Sequence, residues 1–148
     1  MKRSMTWIVV TALAFMCAGA GFAQDSRVEL DALVEKWTEA LNTEDIDGFL
    51  SCYWSDAIRI NYFPGGEPEL TEGTEELRAA DQAGFEQYDY QSMNLIYDEP
   101  VRFFPGHGRP IYIYANSRFG YMDVFEFEER RGEYRIIQQY LLPHPVAE

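Results

Sequence analysis

The chain has 148 residues, 25 acidic side chains against 12 basic ones, and a formal net charge of −13. Such a charge repels phosphate backbones and anionic lipid surfaces, so neither nucleic acid nor a membrane surface is expected as a partner. The length suits one domain with a sizeable core.

The first 23 residues stand apart in composition. Lys2 and Arg3 are followed by a mostly apolar run over residues 7–16, roughly half of the ~20 residues that a spanning helix needs. Gly21-Phe22-Ala23 then supplies a small-residue exit. The pattern reads as a secretory signal peptide over 1–23, followed by a single domain over 24–148 in an exported protein, periplasmic or extracellular. An uncleaved anchor and a lipid-modified Cys17 compete with it. The short apolar run argues against the anchor, and Ala14-Phe15-Met16 is a poor prelude to a lipidated cysteine. After cleavage no stable membrane insertion is expected. All 25 acidic residues but only ten of the twelve basic ones remain, a net charge of −15. Cys52 is then alone, so no intrachain disulfide is possible, and it reads as a small buried hydrophobe.

Residues 25–41 repeat Leu30, Leu33, Val34, Trp37, Ala40 and Leu41 at three- and four-residue spacing, an amphipathic helix. Asp45 suits the N-cap of a second helix over 46–53. Residues 57–63 alternate as a strand, with Ile58, Ile60 and Tyr62 on one face and Arg59, Asn61 and Phe63 on the other. Pro64-Gly65-Gly66 is a turn, and 69–71 a short returning strand. Thr74 is placed to cap a third helix ending near Tyr88, with Leu77, Ala80, Gln82 and Phe85 along it. Strand formers dominate 90–104, broken by Glu99-Pro100. Further strands are expected over 111–119, 121–129 and 133–142, with a hairpin at Arg130-Arg131-Gly132. On 111–119 either face, Tyr112/Tyr114 or Ile111/Ile113, can point inward. On the last strand Tyr134, Ile136 and Tyr140 are set against Ile137 and Leu141. Helices first and strands last define an α+β fold: a cone-shaped, curved antiparallel sheet covered by three N-terminal helices.

Trp37-x6-Glu44-Asp45-Ile46-Asp47-Gly48, then Tyr53-x2-Asp56-Ala57, Gly73-Thr74-x-Glu76 and Tyr121-Met122-Asp123-Val124-Phe125-Glu126-Phe127 form a pattern spanning the domain. It resembles the nuclear-transport-factor-2-like superfamily, which includes ketosteroid isomerases and polyketide cyclases. The resemblance implies a cone with a ligand pocket and a dimer formed through the sheet. In the isomerase branch it also implies a tyrosine donor, an aspartate base and a protonated aspartic acid. These fall on Trp37, Asn61 and Asp123. Trp37 keeps one N–H, but an amide such as Asn61 has no useful basicity, so ketosteroid-type isomerisation is not expected.

The candidate site is a pocket of Trp37, Tyr53, Arg59, Asn61, Asp123 and Phe125, with Asp123 as the candidate catalytic group. If alternation holds, Asp123 stands among Tyr121, Phe125 and Phe127. There it is either a carboxyl with a pKa raised by desolvation or one paired with Arg59, Arg118 or Arg135. Arg59 can hold a carboxylate-bearing or polar ligand. His107 and His144 are far apart, and Asp45-Ile46-Asp47-Gly48 lacks the later ligands of a calcium loop, so no metal is expected. No glycine-rich phosphate loop or nucleophile motif appears, and no cofactor is implied. The leading expectation is a domain that binds a small, partly apolar molecule. The alternatives are a lyase, isomerase or polyketide-cyclase-type enzyme using Asp123, and an interaction module whose pocket is filled by its own side chains.

Overall fold

Helix α1 occupies residues 27–42 and turns the expected stripe inward: Val34, Trp37, Ala40 and Leu41 are all buried. The computed structural model describes residues 27–93, 102–104, 109–116 and 120–143. The expected signal peptide with Cys17, and also Arg118, His107 and His144, lie outside the described residues. Among the described residues no helix is long and apolar enough to cross a membrane.

Helix α2, Ile46–Leu50, begins at Asp45, whose carboxylate accepts the Gly48 N–H at 3.0 Å. Gly48 is required there, because a Cβ at this position would collide with the Asp45 carboxylate. The helix stops at Leu50, three residues short of the expected end. Tyr53 opens strand β1, Tyr53–Asn61, and pairs with Ile136. Extending a single turn of helix gains little, whereas joining a ladder suits Tyr53-Trp54 and the isoleucines beyond. Strand β2, Glu69–Glu72, pairs antiparallel with β1.

Helix α3, Gly73–Gln87, starts at Gly73 rather than behind Thr74, and Glu76 Oε2 accepts the Glu72 N–H at 3.0 Å. It packs on β1 and β2. Its buried residue is Leu77, with Asp81 and Phe85 on the same side at four-residue spacing, while Ala80 and Gln82 are exposed. A one-turn helix α4, Tyr90–Met93, follows where strand was expected.

The remaining strands are β3 (Arg102–Phe104), β4 (Ile111–Asn116), β5 (Tyr121–Arg130) and β6 (Glu133–Pro143). The sheet order is β2-β1-β6-β5-β4-β3. The fold is α+β with an open sheet. The one departure from an antiparallel arrangement is the ladder between β1 and β6, which is parallel and joins the first long strand to the last.

Register decides what each face carries. One row across the helix-covered face runs Arg59, Gln139, Phe125, Tyr112, and the next runs Asn61, Leu141, Asp123, Tyr114. Tyr112 and Tyr114 thus take the inward face of β4, the choice left open by alternation. Glu126 pairs with Gln138 but Phe127 with Ile136, so Ile137 is the extra residue of a bulge. That bulge lets Ile136 and Gln139, three apart, both face the core, and it puts Tyr140 on the opposite face from Ile136.

Cys52 sits in the turn between α2 and β1 with none of its surface exposed. Burial pushes its thiol up, outweighing nearby Lys36 and Arg135. In a Cys17→Ser chain, Cys52 is expected to stay unlabelled by a disulfide reagent at neutral pH until denaturant is added. Stoichiometric labelling of the native protein within minutes contradicts this placement.

Candidate functional site

The inward face of the sheet is apolar, with Phe125, Phe127, Tyr112, Tyr114 and Ile136 buried, except for a polar seam. Trp37 packs against Phe125 with ring centroids 5.1 Å apart and against Phe49 at 5.4 Å. Phe49 packs against Tyr53 at 5.3 Å. Within this cluster Trp37 Nε1–H donates to the Tyr53 hydroxyl at 2.7 Å. Tyr53 O–H donates to Gln139 Oε1 at 2.6 Å, and Gln139 Nε2–H donates to Asp123 Oδ1 at 2.8 Å. All four residues are at most 3% exposed, so the chain is out of reach of water. Its direction is set at both ends: an indole N–H can only donate, and a carboxylate can only accept. Burial pushes the Tyr53 phenol well above its ordinary value.

Beside this chain lies a buried ion pair. Arg59 Nη1 donates to Asp81 Oδ1 at 2.6 Å, and the two side chains are 9% and 13% exposed. Burial alone pushes the Arg59 guanidinium down, but the Asp81 carboxylate outweighs it and holds the charge in place. Burial pushes the Asp81 carboxyl up, and Arg59 offsets only part of that. The contact uses one oxygen of the carboxylate. Asp81 Oδ2 and Arg59 Nε are buried with no hydrogen-bond partner among the described residues, and so is Asn61 Oδ1, two positions along β1 on the same face. Tyr90, half-buried, stands over this end. Its ring lies 5.5 Å from Phe85 and 6.1 Å from Tyr88. Its phenol is pushed up by burial and then by the Asp81 charge.

Of the residues read from the sequence, Trp37, Tyr53, Asp123 and Phe125 come together in the core and Arg59 and Asn61 stand beside them. Two details differ from expectation. The described partner of Arg59 is Asp81, and Asp123 accepts from Gln139. Arg135 instead bonds Glu133, and its guanidinium lies 4.9 Å from the Trp54 ring centre on the other side of the molecule's polar seam. Asp81, Gln139 and Tyr90 were missed. Asp81 had a signal, an acid four residues after Leu77 and four before Phe85. Gln139 had none, because the bulge at Ile137 breaks its alternation.

A shallow cleft of ≈ 290 Å³ is lined by Ser51, Tyr53, Ser55, Thr74, Arg78 and Arg135 among others. Its Arg78 is already bonded to Asp47 at 2.8 Å. Among the described residues no group of three His, Cys, Asp or Glu side chains is placed to hold a metal ion.

No family model matches the sequence, and no curated protein matches it either. Solved structures do match the fold. A protein of unknown function with a cystatin-like fold from Nostoc punctiforme superimposes with a TM-score of 0.63 at 14% identity, over 80% of this chain and 91% of that one. An NTF-2-like protein of unknown function from Shewanella oneidensis gives 0.60 at 15% identity, over 78% and 98%. A ketosteroid-isomerase-like protein from Erwinia carotovora atroseptica gives 0.57 at 17%, over 77% and 92%. The chain therefore has the nuclear-transport-factor-2-like fold, and at these identities the likeness defines the fold alone.

Two predictions follow from the geometry. Removing one member of the ion pair leaves a buried charge uncompensated, so Arg59→Met and Asp81→Leu are each expected to destabilise by about 3–5 kcal/mol in urea, while the double variant returns to within about 1 kcal/mol of wild type. Additive losses contradict the pairing. Tyr53, whose folded-state pKa is raised, contributes stability present below the unfolded phenol value and lost as pH rises above about 10. Tyr53→Phe removes this contribution while unbonding Trp37 and Gln139, so it is expected to lower stability at pH 8 by about 2–4 kcal/mol and to flatten the alkaline decline. An unchanged slope between pH 9 and 11 contradicts the buried phenol.

Proposed function

We propose that the domain binds a small, partly apolar molecule on the helix-covered face of the sheet. The observation that carries this reading is the collection of Arg59, Asp81, Asp123 and Gln139 in an interior otherwise built of aromatic and aliphatic side chains. A buried ion pair is a poor source of stability, and convergent buried polar groups among apolar walls are the usual make-up of a ligand site. Asp123 and Asn61 stand in one row with Leu141 of β6 between them, and Tyr90 is half-buried. Screening of neutral and charged fragments by ligand-observed NMR tests the reading. Binders are expected whose affinity falls about tenfold or more in Asp123→Asn or Asn61→Ala. Binders indifferent to both variants place the ligand elsewhere. A second reading, an interior closed by its own side chains, is favoured by the close packing of Trp37, Phe49 and Phe125, and a screen without binders supports it.

We further propose a homodimer through the other face of the sheet. There Leu70, Ile60, Tyr140, Val124 and Ile113 stand in register across five strands. Leu70 is 56% exposed. Arg109, Glu126, Glu128, Arg130 and Asp56 form a mixed-sign ladder beside it. Mixed charge is self-complementary across a twofold axis. Because each copy is strongly acidic, association is expected to tighten with salt. Light scattering at micromolar concentration is expected to give twice the chain mass, and Ile60→Glu to halve it. A monomeric mass for wild type at all salt concentrations overturns the interface. Export is supported by the composition of residues 1–23, and the mass of the secreted product, expected to begin at Gln24, tests it.

A further inference from the structure

The hydrogen-bonding capacity left unused around the ion pair describes what can fit there. Arg59 spends Nη1 on Asp81 and leaves Nε–H without an acceptor. Asp81 spends Oδ1 and leaves Oδ2 without a donor, and Asn61 Oδ1 also lacks one. Buried polar atoms are ordinarily bonded, so three of them along one edge of one strand and the helix above it mark a place for a complementary group. The set wants two donors and one acceptor. Its formal charge is zero, because the guanidinium and the Asp81 carboxylate cancel.

We infer that the ligand of the proposed pocket is a neutral molecule presenting hydrogen-bond donors and an acceptor together, such as a carboxamide or neighbouring hydroxyls, and not a carboxylate. A carboxylate satisfies Arg59 Nε–H alone. It brings no proton for Asp81 Oδ2 or Asn61 Oδ1, and it sets a negative charge beside an acid that Arg59 already serves. A carboxamide gives its N–H₂ to the two oxygens and its carbonyl to the guanidinium. The rings of Phe85, Tyr88 and Tyr90 supply an apolar, stackable surface next to this point. Tyr90 is the side chain to be displaced on entry. Its hydroxyl lies over Gly84, where even an added Cβ would sit 3.7 Å from it, and ring contacts rather than a polar tether among the described residues hold it there. Of the carboxylate-bearing and polar ligands that Arg59 alone can hold, the three atoms together select the neutral polar one.

The inference rests on the pocket proposed above, and a matched pair of probes separates the two. Benzamide and benzoate share shape and ring and differ in the group that matters. Titrated by NMR at pH 7.4, benzamide is expected to bind at least about tenfold more tightly than benzoate. The preference is expected to shrink in Asn61→Leu and to vanish in Arg59→Met/Asp81→Leu, the pair of changes chosen to keep the fold. Benzoate binding as well as or better than benzamide overturns the ligand class while leaving the pocket in place. So does a preference that survives in the double variant. Binding of neither probe, with wild-type resonances of Tyr90 unmoved, overturns the pocket as well, the three atoms then being served by water.

Discussion

The hydrogen-bond chain from Trp37 through Tyr53 and Gln139 to Asp123 is the constraint on which the rest of the interior depends. It joins α1, β1, β6 and β5, four elements spread over the sequence from residue 37 to residue 139. Each bond is made away from water, where an unmade partner is expensive, on the order of 1–3 kcal/mol for each group left unsatisfied. A slip of one residue in the β1–β6 ladder would turn Gln139 to the other face and strand the Tyr53 hydroxyl and the Asp123 carboxylate together. The chain therefore fixes the register of the parallel ladder that closes the sheet order. It also explains the bulge at Ile137. Without the extra residue, Gln139 and Ile136 would point to opposite faces, and only one of them would reach the core.

The polar seam has two halves with different character. The half built on Tyr53, Gln139 and Asp123 is bonded end to end. The half built on Arg59, Asp81 and Asn61 is bonded at one point and open at three atoms. A fold seeking stability alone would complete such a network or replace it with apolar residues. The closed half orders the strands, and the open half sits at the α3–α4 side under Tyr90. Asp123 Oδ1 accepts from Gln139, whereas the buried atoms without a partner among the described residues lie around the ion pair.

Much of the fold was legible in the residues, and for physical reasons. The stripe of Val34, Trp37 and Leu41, the Asp45 cap with Gly48, and the alternation in β1 and β5 are local signals, and each corresponds to an observed element. The end of α2 was misread because Cys52 and Tyr53 carry a helical spacing that a distant strand overrides. Along α3 the burial of Asp81 was not legible, because it is decided by the ion pair with the distant Arg59. The parallel pairing of β1 with β6 leaves no trace in either segment. The burial of Trp37, Arg59 and Phe125 was legible from a regular helix or an alternating strand, whereas Tyr53 was read as the end of a helix and instead opens a strand. Gln139 was lost to a bulge.

The resemblance to isomerases placed a donor, a base and an acid on Trp37, Asn61 and Asp123, and the geometry shows what has become of those positions. Trp37 donates, but to Tyr53, inside the protein. Asp123 accepts from a glutamine amide, so at that oxygen it is not acting as a hydrogen-bond donor. Asn61 retains a free carbonyl oxygen, which can receive a hydrogen bond but cannot remove a proton from carbon. The three positions have been absorbed into holding the sheet together or into binding. What remains unengaged on the same face is the edge of an arginine, one carboxylate oxygen and one amide oxygen. Of these atoms the guanidinium N–H can only donate and the amide oxygen can only accept, while the carboxylate oxygen stands beside the charge of Arg59.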